Sequence, residues 1–180
     1  MTSQSLKMTV YASLMAALTI IGAYIAIPIG PVPIVLQNMF VMLMGLLLGA
    51  RWGGMSILIY LLIGLIGFPV FASGKGGPGV FLGPTGGYLL GYIPAVYLIG
   101  FISHLKPYRM WLDAIAQLAG TLIIYGIGLS WLHLMTGLNW HQTLMIGFMP
   151  FIAWDGVKIV CNLLIIKSIR PIFKSWRTNQ

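Results

Sequence analysis

PIVLQNMFVMLMGLLLGARWGGMSILIYLLIGLIGFPVF, Pro33 to Phe71, carries a single charged residue, Arg51, in an otherwise apolar stretch. A helix that crosses a bilayer needs about 20 mostly apolar residues, so the stretch is too long for one crossing. We read it as two. The break falls where small residues gather around the charge, at Gly49, Arg51, Gly53 and Gly54, and gives spans at roughly 34–50 and 54–71. Further apolar runs lie on either side, at roughly 8–27, 84–103, 112–132 and 149–168.

The expected fold is therefore an all-α membrane protein, with six transmembrane helices in one bundle and a single integral-membrane domain over 1–180. Bulk composition agrees. The chain is 59% hydrophobic and 7% charged, with a mean hydropathy of +0.96, against about 25% charged residues in an ordinary soluble domain. Prolines mark the connections: Pro28, Pro31 and Pro33 after the first run, Pro69 after the third, Pro107 in the fourth connection and Pro150 at the start of the sixth span.

Six crossings put both termini on one side. With that side taken as cytoplasmic, Lys7, Arg51, Lys106, Arg109, Lys167, Arg170, Lys174 and Arg177 fall inside and Lys75 alone falls in an outer loop. This is the bias of the positive-inside rule. It explains the net charge of +8 without a nucleic-acid partner. The first run follows a lone lysine and precedes further spans, so it reads as a retained helix rather than a signal peptide. The one cysteine, Cys161, excludes a disulfide within the chain.

The glycine-rich stretch FASGKGGPGVFLGPTGGYLLGY, Phe71 to Tyr92, then faces outward. Gly74 to Gly79 fits G-x-G-x-x-G, but a dinucleotide loop must follow a strand and open a helix, and neither condition is met. Lys75 lies between glycines, including Gly76 and Gly77, that let backbone approach a ligand closely. It is either a solvated loop lysine or a cap for an anionic group. Gly83-Pro84-Thr85-Gly86-Gly87 opens the fourth helix, whose first N–H groups suit an anion or a carbonyl.

Asp155 and Lys158 are the sharpest candidates. They stand three apart in FMPFIAWDGVKIVCNLLI and so share a helix face. Ionisable groups at membrane depth are costly and face a bundle interior or a wet cavity. Counted from Pro150, Asp155 lies about 8 Å below the outer end. The pair is either a ligand site or a neutral tie that seats the sixth helix. Gln37 and Asn38 open the second span, where their amides either bond a ligand or hold the loop. Tyr88, Tyr92, Trp131, Trp140 and Trp154 are either interfacial aromatics or pocket walls. His133 and His141 have no acidic neighbour for a metal site, and no metal or cofactor is expected. Ala12, Ala16, Thr19 and Ala23 form one small-residue face of the first helix, for packing within the chain or for docking a partner.

Enzyme signatures such as G-x-S-x-G and H-E-x-x-H do not occur, and two acids leave few candidates for acid–base chemistry. At this point three segments carry a resemblance: Ala26–Phe71, then GKGGPGVFLGPTGGYLLGY from Gly74 to Tyr92, then DGVK from Asp155 to Lys158. Together they resemble the BioY family, the biotin-binding membrane subunits (S components) of energy-coupling factor transporters. The resemblance covers about Ala12 to Lys158. It implies an outward high-affinity biotin site in a prokaryotic cell membrane. It also implies a partner assembly of a transmembrane coupling subunit and two cytoplasmic ABC-type ATPases.

On that resemblance, Ala12 and Ala16 match the docking motif of the first helix. Asp155 and Lys158 match the pair that contacts the biotin ring system; the residues themselves, rather than a family motif, nominate Lys75, Gln37, Asn38, Gly77, Thr85, Tyr88 and Trp154 to complete the substrate site. The chemistry agrees: a ureido N–H donates to Asp155, Lys158 donates to the ureido carbonyl, and Lys75 suits the valerate carboxylate. The rival reading is a small permease that works alone on another vitamin or organic anion.

Overall fold

The computed structural model describes residues 3–105 and 109–178. The charges expected at Lys106, Lys174 and Arg177, and the turn expected at Pro107, lie outside the described residues and side chains. Seven α-helices follow in order: α1 (Ser3–Tyr24), α2 (Gln37–Leu65), α3 (Pro78–Phe81), α4 (Gly86–Ser103), α5 (Met110–Thr136), α6 (Trp140–Gly147) and α7 (Ile152–Thr178). A two-residue antiparallel ribbon, β1 (Ala26–Ile27) and β2 (Ile34–Val35), closes the proline-rich connection between α1 and α2.

Among the described residues four helices are long and apolar enough to cross a membrane, or five if α6 and α7, bent by 44°, are taken as one broken span. The sequence expectation was six. The difference lies in α2, which covers both the second and the third expected spans. Gly49 interrupts it with φ 77° and ψ −178°, a region that is essentially glycine-only. The chain folds back there. A methyl added to Gly53 would stand 3.0 Å from the carbonyl oxygen of Met44, whereas nine residues of straight helix would separate the two positions by about 13 Å. Gly45 and Gly53 both close on Val96 of α4, which an unbroken rod could not do. The second arm ends at Leu65 rather than Phe71. Gly67, at φ +113°, lets its own N–H reach Gly64 and that of Phe68 reach Ile63, a glycine-ended helix terminus.

Helix α4 packs between α2 and α5, α1 lies on α2, and α7 crosses α2 and α5. The core is apolar, built on residues such as Met42, Met44, Leu46, Ile57 and Ile99. The outer surface is apolar as well, with Leu62, Leu122, Val157, Val160 and Leu164 more than half exposed, as lipid contact requires. The small-residue face of α1 is taken up inside the chain. Ala12 and Ala16 are 1% and 3% exposed, and Ser56 of α2 donates to the Ala12 carbonyl at 2.6 Å. Of the two uses open to that face, packing within the chain is the one seen in this structure, where small residues let α1 approach α2 closely. Helix α6, expected as loop, is capped at its start by the Asn139 side chain, which accepts from the Gln142 N–H at 2.9 Å.

Candidate functional site

At the end of the bundle where α4 and α7 begin lies a cavity of about 470 Å³, within the size range of small-molecule sites. Its walls come from separate parts of the chain. The connection before α2 supplies Val32 and Pro33, and the start of α2 supplies Gln37 and Asn38. The strap after α2 supplies Phe71, Ala72, Ser73 and Lys75. The first turns of α4 bring Tyr88 and Tyr92, and Tyr125 and Phe151 come from α5 and the start of α7. Residues 37 and 71 share one wall because α2 doubles back at Gly49.

The strap is held on both sides. Tyr24 donates to the Pro69 carbonyl at 2.5 Å, Tyr60 to the Val70 carbonyl at 3.2 Å, and the Gly77 N–H to the Gly64 carbonyl at 2.7 Å. Phe71 is buried between Tyr60 and Phe81, edge-on to both at 5.5 and 5.4 Å. Phe71 and Lys75 close a small loop through the Phe71 N–H and the Lys75 carbonyl, 2.9 Å apart. That loop leaves the Lys75 side chain exposed at the cavity rim.

Three tyrosines line the floor, each with its hydroxyl engaged. Tyr88 donates to the Gly147 carbonyl at 3.0 Å, Tyr92 to Asn38 Oδ1 at 2.5 Å, and Tyr125 to Asp155 Oδ2. The Tyr125 ring meets those of Tyr88 and Phe148 edge to face, the favoured geometry for aromatic pairs. Behind Tyr125 lies the ion pair: Lys158 Nζ donates to Asp155 Oδ1 at 2.9 Å, and both residues are 4% exposed. Gln37 is 2% exposed and its Nε2 has no hydrogen-bond partner among the described residues. An unpaired amide donor in a cavity wall is costly unless something in the cavity accepts from it.

Of the residues singled out from the sequence, Lys75, Gln37, Asn38, Thr85 and Tyr88 converge on the cavity wall. Asp155 and Lys158 stand one layer behind it, joined to it through Tyr125. Two are not brought in. Gly77 turns the chain into α3 at φ +89° and spends its N–H on α2. Trp154 is 49% exposed, since one residue along a helix turns the side chain about 100° away from Asp155. Sequence reading missed Tyr125 and Phe71. A signal for the first existed: Asp113, Gln117, Thr121 and Tyr125 recur every four residues along α5, a polar stripe on an otherwise apolar helix. A matching stripe on α7 holds Asp155, Lys158, Asn162 and Arg170. The two meet at Tyr125–Asp155, at Gln117–Asn162 (3.0 Å) and at Asp113–Arg170.

The comparisons with known proteins bear on this arrangement as a whole. The model of the BioY family matches residues 1–175. The biotin transporter BioY of Thermotoga maritima is 37% identical over 167 residues, covering 93% of this chain and 98% of that protein. The probable biotin transporter BioY of Pyrococcus horikoshii is 40% identical over 158 residues, covering 88% and 93%. A crystal structure of the S-component for biotin from an ECF-type ABC transporter superposes with a TM-score of 0.86 at 33% identity, covering 95% of this chain and 94% of the other. Agreement in family model, in length and in backbone path, over the helices that build the cavity, leads to one assignment: the chain belongs to the BioY family.

Proposed function

We propose that the protein is the high-affinity biotin-binding subunit of an energy-coupling factor transporter, not an enzyme. The observation that carries this is the pairing of a cavity of about 470 Å³ with a buried acid–lysine pair one layer behind its floor. Biotin is bipolar in a matching sense. Its ureido group offers two N–H donors and a carbonyl acceptor, and its far end is a carboxylate. In this reading the ureido group goes to the Asp155 and Lys158 end. The thiophane ring lies among Tyr88, Phe71 and Val32, and the carboxylate points to Lys75 at the rim. Gln37 Nε2 adds a donor, and Thr85 with the start of α4 closes the side.

The same reading sets the membrane topology. Each arm of α2 crosses once, giving six crossings, with the cavity facing outward and both termini in the cytoplasm of a prokaryotic cell. Lys7 and Lys167 lie toward the end opposite Lys75, as positive-inside orientation requires. Translocation is powered by partners, a transmembrane coupling subunit and two cytoplasmic ATPases. The likeness to an S-component supports this, and in this reading the α1 face that carries Ala12 and Ala16 docks on the coupling subunit.

The test is calorimetric titration of biotin into detergent-purified wild type and Asp155→Asn. Tight wild-type binding, weakened by about 2 kcal/mol in the variant, is the cost expected for a charged hydrogen bond lost in a buried site. A wild type that takes up no biotin would sink the proposal and favour a permease for another solute.

A further inference from the structure

Tyr125 is the wall residue that touches the buried carboxylate. It lines the cavity, as Asp155 and Lys158 do not, and its hydroxyl donates to Asp155 Oδ2 while Lys158 holds Oδ1. A donor that arrives through the cavity therefore meets the phenol before it meets the acid. Among the described residues no second hydrogen bond holds the ring in place. It stands edge-on to Tyr88 at 6.3 Å and to Phe148 at 4.8 Å, contacts that a change of side-chain torsion can re-form. Tyr88 and Tyr92, by contrast, spend their hydroxyls on Gly147 and Asn38, groups that position helices and loops rather than an ion pair.

We infer that the Tyr125 hydroxyl is a stand-in donor, which the cavity's ligand displaces from Asp155 with an N–H of its own. This rests on the biotin reading above and adds the step by which that ligand class is selected. The exchange is one hydrogen bond for another, with no proton transferred. A ligand with a ureido-type N–H replaces what it removes. A ligand of the same shape without that donor either stops at the phenol or leaves Oδ2 of a 4%-exposed carboxylate without a donor while Lys158 keeps Oδ1, and an unsatisfied buried acceptor is penalised. Tyr125 thus determines specificity by making donor exchange the condition for reaching the acid. Affinity is the cost of that arrangement: part of the ligand's interaction is used to displace the phenol.

The consequence runs opposite to that of an ordinary contact residue. Tyr125→Phe keeps the ring and removes the hydroxyl to be displaced, so biotin should bind several-fold tighter and associate faster than with wild type. Calorimetry gives the affinity and stopped-flow tryptophan fluorescence the association rate. In an Asp155→Asn background the same change should move biotin affinity less than twofold, because the exchange no longer has a carboxylate to serve. A packing role for the hydroxyl would accelerate nothing and would not depend on Asp155. If Tyr125→Phe does not fold, Tyr125→Met fills similar space without a hydroxyl and repeats the measurement. Equal or weaker binding in the hydroxyl-free variants, with wild type binding biotin normally, overturns the exchange alone. A wild type that fails to bind biotin removes the exchange and the biotin reading together.

Discussion

At the cavity end a carboxylate, Asp155, sits between a lysine three residues along its own helix and a tyrosine hydroxyl. At the far end another carboxylate, Asp113, sits between an arginine from α7 and a serine hydroxyl from α4. The groups are alike and the wiring is not. The far cluster is tertiary. Arg170 reaches Asp113 on α5, the Ser103 hydroxyl on α4 at 2.6 Å and the Leu46 carbonyl on α2 at 3.4 Å. One guanidinium thereby ties four helices, a task suited to its fixed fork of donors. The Asp155–Lys158 pair is local to α7 and ties it to the rest of the bundle through a single phenol. A cluster that cross-links helices contributes to the fold. A pair made within one helix, beside a cavity, can give up its partners to a ligand without loosening the bundle.

The largest effect follows from breaking the far cluster. Arg170→Ala leaves Asp113, 1% exposed, without its cation, and removing one member of a buried pair typically costs about 3 kcal/mol or more. Thermal unfolding in detergent should fall accordingly, while the biotin affinity of the folded fraction stays within about threefold. Asp155→Asn should show the reverse, a melting point close to wild type and a large loss of binding. If Asp155→Asn proved the more destabilising of the two, the division between structural and ligand-facing clusters would fail.

A middle-sized effect tests what brings the two ends into being. Gly49→Ala puts a side chain on a backbone that only glycine adopts without strain, and such positions cost about 1–3 kcal/mol. The added methyl would meet the His104 ring no closer than 3.4 Å, an ordinary contact, so the backbone alone carries the penalty. Lower stability with unchanged affinity in the folded fraction is expected. Wild-type stability would mean that the fold-back at Gly49 does not depend on its left-handed backbone.

Much of this was legible in the sequence. Apolar length located the helices, and the Gly49–Gly54 cluster placed the fold-back within a few residues. The three-residue spacing placed Asp155 and Lys158 on one buried face. Lys75, Gln37, Asn38, Thr85 and Tyr88 were nominated from loop and helix-start positions that the structure does bring to one cavity. What escaped was set by packing between distant segments. Asp113, at the start of the 112–132 run, was given no site role, and it is buried against Arg170, 57 residues away. The α1 alanines have a helical spacing that suits a partner as well as it suits α2, and spacing alone does not choose. Trp154 was misplaced by one residue of helical rotation. Tyr125 is 30 residues from the acid it contacts, and only a reading of α5 and α7 as facing polar stripes would have paired them.

The smallest expected effect sharpens the comparison from the rim of the cavity. Lys75 is exposed, so water and salt weaken its attraction to a ligand carboxylate, and exposed ion pairs typically contribute about 1 kcal/mol or less. Lys75→Ala should therefore weaken biotin about fivefold at low ionic strength and less in high salt, where screening has already removed most of the attraction. Biotin amide, which keeps the ureido group and lacks the charge, should bind wild type and variant alike. The buried pair behaves differently on both counts, because burial shields it from salt and its contact is with the ureido end. An equal loss for biotin and its amide would give Lys75 a role in shaping the Phe71–Lys75 loop rather than in holding the carboxylate. A salt-independent loss confined to biotin would keep the carboxylate contact but place it out of solvent, behind the strap.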